Sequence, residues 1–168
     1  MWSPDGNWIA YTRIQDGKWA LVKTPVGGGK PVVVLETIFS FETDWSPSGQ
    51  WICFSNPQGL QLVSPDGKIQ KLLSKSDSPD FGFSRDGSTV YIIRRGNRRW
   101  EVVAIDVRSA TERKVSELWI SPSAALAGFS LDPDEKSFAT SVGTTKYDIW
   151  LLEGFQQPSW RRFVLRDH

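Results

Sequence analysis

An all-β fold assembled from four similar repeats is what this sequence predicts, on three observations. A short turn motif opens each repeat: Trp2-Ser3-Pro4-Asp5-Gly6, Trp45-Ser46-Pro47-Ser48-Gly49, Phe83-Ser84-Arg85-Asp86-Gly87 and Leu131-Asp132-Pro133-Asp134-Glu135. Their leading residues stand 43, 38 and 48 residues apart, a period typical of solenoids, propellers and arrays. An apolar triplet with a small or variable centre follows at one offset: Ile9-Ala10-Tyr11, Ile52-Cys53-Phe54, Val90-Tyr91-Ile92 and Phe138-Ala139-Thr140. These are strands apolar on both faces, the pattern of a sheet covered on both sides by other sheets.

The turns come first. Pro4, Pro47 and Pro133 pre-set φ at the second turn position, Asp5, Asp86 and Asp134 tolerate the third, and Gly6, Gly49 and Gly87 take the left-handed conformation that closes a hairpin. Glu135 stands in the glycine place, so Glu135→Gly is expected to relieve strain and raise stability by up to about 1 kcal/mol. Ahead of the turns, first strands are predicted at 41–45, 80–83 and 125–131, with none before the first turn. Third strands follow at 18–22, 60–63, 100–106 and 147–152, and fourth strands at 31–35, 68–73, 112–118 and 161–165. The last two strands of each repeat are joined by Gly27-Gly28-Gly29, by Ser64-Pro65-Asp66-Gly67, by 106–110 and by 154–158. Ser64 to Gly67 repeats the turn chemistry without a leading aromatic, so it does not open a repeat.

Four-stranded repeats of this length are the blades of a β-propeller, which protects sheet edges by radial repetition. The prediction is one partial propeller domain over 1–168, with blades at about 1–36, 37–75, 76–120 and 121–168 and the first blade lacking its first strand. Nine Trp and nine Phe supply the large apolar surfaces that packing between blades needs. Trp2, Trp45 and Phe83 recur at one position and are expected to form a core layer. Trp119 and Trp160 lie outside the repeated frame.

Twenty basic residues nearly balance nineteen acidic ones for a net charge of +1, so no global field draws nucleic acid or anionic membrane. No apolar run is long enough to cross a bilayer, and no signal-peptide pattern opens the chain. The single Cys53 excludes an intrachain disulfide, and it occupies the slot of Ala10 and Ala139, which assigns it to packing.

The motifs resemble the WD40-like repeats of the TolB propeller family, an aromatic residue followed by Ser-Pro-Asp-Gly, a spacer and an Ile-Ala-Phe type of triplet. Residues Trp2-Ser3-Pro4-Asp5-Gly6-Asn7-Trp8-Ile9-Ala10-Tyr11 match nearly throughout. The resemblance implies a non-enzymatic binding platform for a protein or peptide within a larger bacterial envelope, regulatory or signalling protein, in a periplasmic or other extracytoplasmic setting. It also admits a purely structural segment completed by further blades or a second copy, or the propeller of a serine peptidase whose catalytic domain lies elsewhere.

Intrinsic catalysis is not expected. The sole histidine is His168, and Gly128-Phe129-Ser130-Leu131-Asp132 lacks the last glycine of a nucleophile elbow. No metal or cofactor is expected either. Asp132, Asp134 and Glu135 are oxygen ligands without calcium-loop spacing, and Gly27-Gly28-Gly29-Lys30 is followed by Pro31 where a phosphate loop needs Ser or Thr. The binding candidate is Arg94-Arg95-Gly96-Asn97-Arg98-Arg99-Trp100, joining the second and third strands of repeat three. Arg94, Arg95, Arg98 and Arg99 offer bidentate contacts to carboxylate or phosphate, Asn97 shapes the turn, and Trp100 offers a stacking face; the alternative is a solvated hairpin whose charges keep the tip soluble, with Trp100 packed between blades. Nucleic acid is disfavoured as the partner, because one basic hairpin is not a basic surface.

Overall fold

The computed structural model describes residues 1–15, 17–37, 42–76, 80–121, 123–132 and 134–144. These form thirteen strands in four antiparallel sheets. The first sheet holds β1 (Trp8–Gln15), β2 (Lys18–Pro25) and β3 (Val32–Thr37). The second holds β4 (Thr43–Trp45), β5 (Ile52–Asn56), β6 (Gly59–Val63) and β7 (Gln70–Ser74). The third holds β8 (Phe81–Phe83), β9 (Thr89–Arg95), β10 (Trp100–Asp106) and β11 (Glu112–Leu118). The fourth pairs β12 (Ala125–Leu131) with β13 (Phe138–Gly143). Strands run in sequence order within every sheet, the meander of a partial propeller. Strands expected at 147–152 and 161–165, together with Pro133, Trp160 and His168, lie outside the described residues.

Where the first strand of the first sheet would run, Met1 and Trp2 form a short stub. Trp2 bridges Ile9, and Met1 and Ala10 exchange hydrogen bonds at 2.8 Å.

One turn explains the repeated motif. In Ser3, Ser46, Ser64 and Ser84 the hydroxyl accepts the backbone N–H five residues on, from Trp8, Trp51, Ile69 and Thr89, at 2.9–3.0 Å. Ser3, Ser64 and Ser84 donate the same hydroxyl to Asp5, Asp66 and Asp86, while Ser46 meets the Ser48 hydroxyl. The glycine N–H closes on the serine carbonyl at 2.8–2.9 Å, with φ between +71° and +76° at Gly6, Gly49, Gly67 and Gly87. The serine hydroxyl and carbonyl and the glycine N–H of the turn are thereby satisfied locally. Ser64 to Gly67 makes the same bonds but links β6 to β7, as its missing aromatic predicts.

The Ser84 hydroxyl, followed by the Ser88 N–H and hydroxyl, holds Asp86 down to about 2, against an ordinary 3.8. A depressed carboxylate contributes stability that is complete above its unfolded value and lost as pH falls through the folded one. Acid titration from pH 4 to pH 2 is therefore expected to shift the melting temperature less in Asp86→Asn than in the parent chain.

The fourth turn departs as its sequence requires. Asp132 replaces serine and accepts the Ser137 hydroxyl at 3.1 Å, and Glu135 takes the left-handed position with φ +58°. Its carboxylate also accepts the Arg85 N–H from the third sheet at 2.7 Å. This contact corrects the expected gain from Glu135→Gly, since the strain relieved is offset by a lost charge-assisted bond. Glu135→Gly is expected to leave stability within about 0.5 kcal/mol of the parent, and Glu135→Ala, which keeps strain and loses the bond, to cost about 1 kcal/mol. Urea unfolding of the two variants separates the contributions.

The cores lie between sheets. Ala10, Leu21 and Val34 of the first sheet pack on Trp45, Ile52, Phe54 and Val63 of the second. From the opposite face of the second sheet, Cys53, Leu60, Leu62 and Leu73 pack on Phe81, Phe83, Val90, Ile92, Val103 and Ile105 of the third. Successive residues of β5 thus point into different cores, and all five are buried. Burial pushes the Cys53 thiol well up, followed by the field of Asp44, consistent with a packing role. Within the fourth sheet Phe129 stacks on Phe138 at 5.3 Å, and it meets the third sheet at Gly82, where an added Cβ would stand 2.8 Å from the Phe129 ring.

Trp45 and Phe83 are buried as predicted, but Trp2 is 60% exposed. The leading aromatic packs on the preceding sheet, and among the described residues no sheet precedes the first. An extra residue also enters the last strand of each of the first three sheets, at Val34, Leu73 and Val115. Such bulges increase local twist. Val34 and Leu73 are buried, whereas Val115 is exposed.

Candidate functional site

In this meander the link between the second and third strands emerges at the same end as the connections between sheets. Arg95 pairs with Trp100 at the end of the β9–β10 ladder, and the Gly96 N–H closes the four-residue tip on the Arg99 carbonyl at 2.8 Å. Gly96 is required by close approach, because a Cβ there would lie 2.8 Å from that carbonyl oxygen and 2.9 Å from the Glu101 side chain. The connection after β11 passes alongside, and the Trp100 indole donates to the Ser121 carbonyl at 3.3 Å.

A cleft of about 760 Å³ opens at this tip, lined by Arg94, Arg95, Asn97, Arg98 and Arg99 and, across the sheet, by Glu101, Lys114 and Glu117. The four arginines divide by role. Arg94 belongs to the wall: it meets Glu112 at 2.5 Å and Glu101 at 3.8 Å, and Glu112 in turn accepts the Ser74 hydroxyl of the second sheet. Burial raises the Glu112 carboxyl, but the Ser74 and Arg94 hydrogen bonds outweigh it and hold it below the ordinary range. Arg99 lies 3.9 Å from Glu117, with its guanidinium 3.4 Å above the centre of the Trp119 ring. Arg95 lies over Trp100 at 5.1 Å. Arg98 is exposed and has no hydrogen-bond or ion-pair partner among the described residues.

Lys114 joins the acidic side of the cleft, 2.8 Å from Glu117 and 3.6 Å from Glu101. Their contact raises Lys114 and lowers Glu117, each chiefly through the hydrogen bond between them. Five cations, Arg94, Arg95, Arg98, Arg99 and Lys114, therefore face Glu101, Glu112 and Glu117. The surplus is positive and lies at the tip.

The structure thus brings all six predicted residues to one end of the third sheet, with Trp100 turned onto Ser121 and Arg95. Sequence reading missed Glu101, Lys114 and Glu117: Glu101 pairs with Glu117, and the extra residue at Val115 turns Lys114 to the same face, which alternation alone would not do. It placed Trp119 outside the repeated frame, where exposure would point to a missing partner or missing blades, and the position directly after β11 puts that residue at the same end as the hairpin. Trp119 is 84% exposed.

The other candidates resolve into structure. Asp132 and Glu135 form a turn, Gly28 and Gly29 form the β2–β3 tip with φ of +91° and +140°, and Ser130 lies within β12 paired with Ala139. Among the described residues no group of three or more His, Cys, Asp or Glu side chains is placed to hold a metal, and no helix is long and apolar enough to cross a membrane.

No family model and no curated protein matches the sequence. Solved structures do match. The chain resembles TolB from Acinetobacter baumannii at 16% identity and a TM-score of 0.69, over 90% of this chain and 39% of that one. A chain of the nidogen/laminin complex matches at 11% identity and 0.65, over 84% and 54%. An oligogalacturonate lyase in complex with manganese matches at 13% identity and 0.58, over 70% and 34%. The described residues form a TolB-like β-propeller segment, a fold that binding proteins and enzymes share. The chain spans between 34% and 54% of the length of these three structures.

Proposed function

We propose that this chain is a non-enzymatic propeller module that binds a protein or peptide at the hairpin end of its third sheet, within a larger bacterial envelope, regulatory or signalling protein. The observation that carries this reading is the cleft itself. Arg98 and Arg95 stand exposed at its tip without carboxylate partners, while Arg94 and Lys114 are fixed from behind by glutamates. Fixed cations beside free ones suit an acidic ligand, because little side-chain freedom is lost on binding. The likeness to TolB and to the nidogen/laminin complex supports a binding role.

The test is selection of peptides from a displayed random library on the immobilised chain. Acidic peptides are expected to be enriched, and the double variant Arg95→Ser/Arg98→Ser is expected to lose them without a change in melting temperature. Arg94 is left intact because it ties the third sheet to Ser74 through Glu112. Equal capture by the double variant overturns the reading.

A second reading, a structural segment completed by further blades or another copy, is favoured by Trp2, whose counterparts Trp45 and Phe83 are buried on a preceding sheet. Light scattering across a concentration series tests it. A discrete dimer that buries Trp2 supports closure by self-association, and a monomer at every concentration removes that branch and leaves completion by further blades.

A further inference from the structure

We infer that the cleft selects a peptide carrying an acidic side chain beside an aromatic one, and that Glu117 is the chain's own occupant of the acidic position. This rests on the peptide-binding reading above and specifies its ligand.

Glu117 holds a place that an incoming carboxylate would take. One oxygen is 2.8 Å from Lys114 and the other 3.9 Å from Arg99, so it engages two of the cleft's cations that are not fixed on Glu112. A ligand carboxylate entering there exchanges with Glu117. Swapping one carboxylate for another returns little net Coulomb energy at an exposed site, so acidity alone gives weak binding. The surplus must come from groups without partners of their own. Arg98 is one. Trp119 is the other: Arg99 caps one face of its ring at 3.4 Å, yet the residue stays 84% exposed, which leaves the opposite face open to a ligand ring. Arg99 belongs to both the ion pair and the stack, so the acidic and aromatic subsites adjoin.

Single-stranded nucleic acid also combines negative charge with flat rings. The cleft disfavours it because Glu101, Glu112 and Glu117 line or back the same space, and a chain of consecutive phosphates cannot exchange with Glu117 without facing the other two. A peptide with separated charges can.

The experiment is fluorescence anisotropy with short labelled peptides whose central residues are Glu-Phe-Glu, Glu-Ser-Glu or Gln-Phe-Gln, with labelled oligothymidylate as competitor. The Glu-Phe-Glu peptide is expected to bind about tenfold more tightly than the other two. Glu117→Gln is expected to tighten both acidic peptides by about threefold, since it removes the internal competitor while keeping shape. Trp119→Ala is expected to reduce Glu-Phe-Glu to the affinity of Glu-Ser-Glu and to leave Glu-Ser-Glu unchanged. Unchanged or weaker binding in Glu117→Gln, equal losses for both acidic peptides in Trp119→Ala, or preference for oligothymidylate overturns the inference. If none of the three peptides binds while library-selected peptides still depend on Arg95 and Arg98, this specification fails alone. Loss of that dependence removes the reading beneath it.

Discussion

Phe54→Ala is expected to cost about 3–5 kcal/mol, the usual range for emptying a large buried aromatic site. Phe54 is 1% exposed and stands at the centre of the core joining the first two sheets, against Ala10, Leu21 and Val34 from one side and Ile52 and Val63 from its own. The neighbours cannot close the gap, because they are carried on two hydrogen-bonded sheets whose ladders fix their spacing. A domain with a total stability of about 5–15 kcal/mol loses a large share of it. Urea unfolding followed by tryptophan fluorescence measures the change. Phe54→Leu, which keeps most of the volume, is expected to cost markedly less. Equal costs for the two would show that the ring contributes through something other than space filling.

Gly67→Ala is expected to be nearly as damaging, about 3–5 kcal/mol, while Gly6→Ala costs about 1–2 kcal/mol. Both glycines hold the same left-handed turn position, with φ of +76° and +71°. Around Gly6 nothing lies within 4 Å of an added Cβ, so alanine there meets only the backbone penalty. At Gly67 the added carbon would stand 2.2 Å from the Val34 carbonyl oxygen of the first sheet, a contact that only movement of the two sheets apart relieves. The pair forms an internal control. If both variants lose the same stability, the seam at Gly67 yields freely and the first two sheets are not held at fixed separation.

Much of this was legible in the chain. The Ser-Pro-Asp-Gly motifs and the triplets behind them read out correctly as turns and second strands, because the bonds of the serine hydroxyl and the glycine N–H that shape the turn are made by residues no more than five positions apart. Strands β10, β11 and β12 run over the predicted residues, their ends marked by turn residues in the sequence. What escaped depended on neighbours in space. Trp2 was expected in the core because the motif is identical, and its burial is decided instead by what lies ahead of it. Glu135 was rightly placed in a left-handed turn, but its bond to Arg85 crosses between sheets and leaves no local trace. At the cleft the arginines were visible as a run. The glutamates that fix Arg94 come from β10 and β11, so the division of the arginines into wall and tip was not.

The self-sufficiency of the Ser-centred turn bears on how the chain acquires its structure. The serine-centred bonds of each turn need no residue from another sheet, so the turns are expected to form early, on the microsecond scale of isolated hairpins. The seams at Phe54 and Gly67 are expected to assemble afterwards, by docking of units whose turns are already formed. A defect in a turn, such as Ser84→Ala, is then felt mainly as slower folding. A defect in a seam is felt mainly as faster unfolding. In this chain the repeat governs the order of events, and the surfaces between repeats govern how long the product lasts.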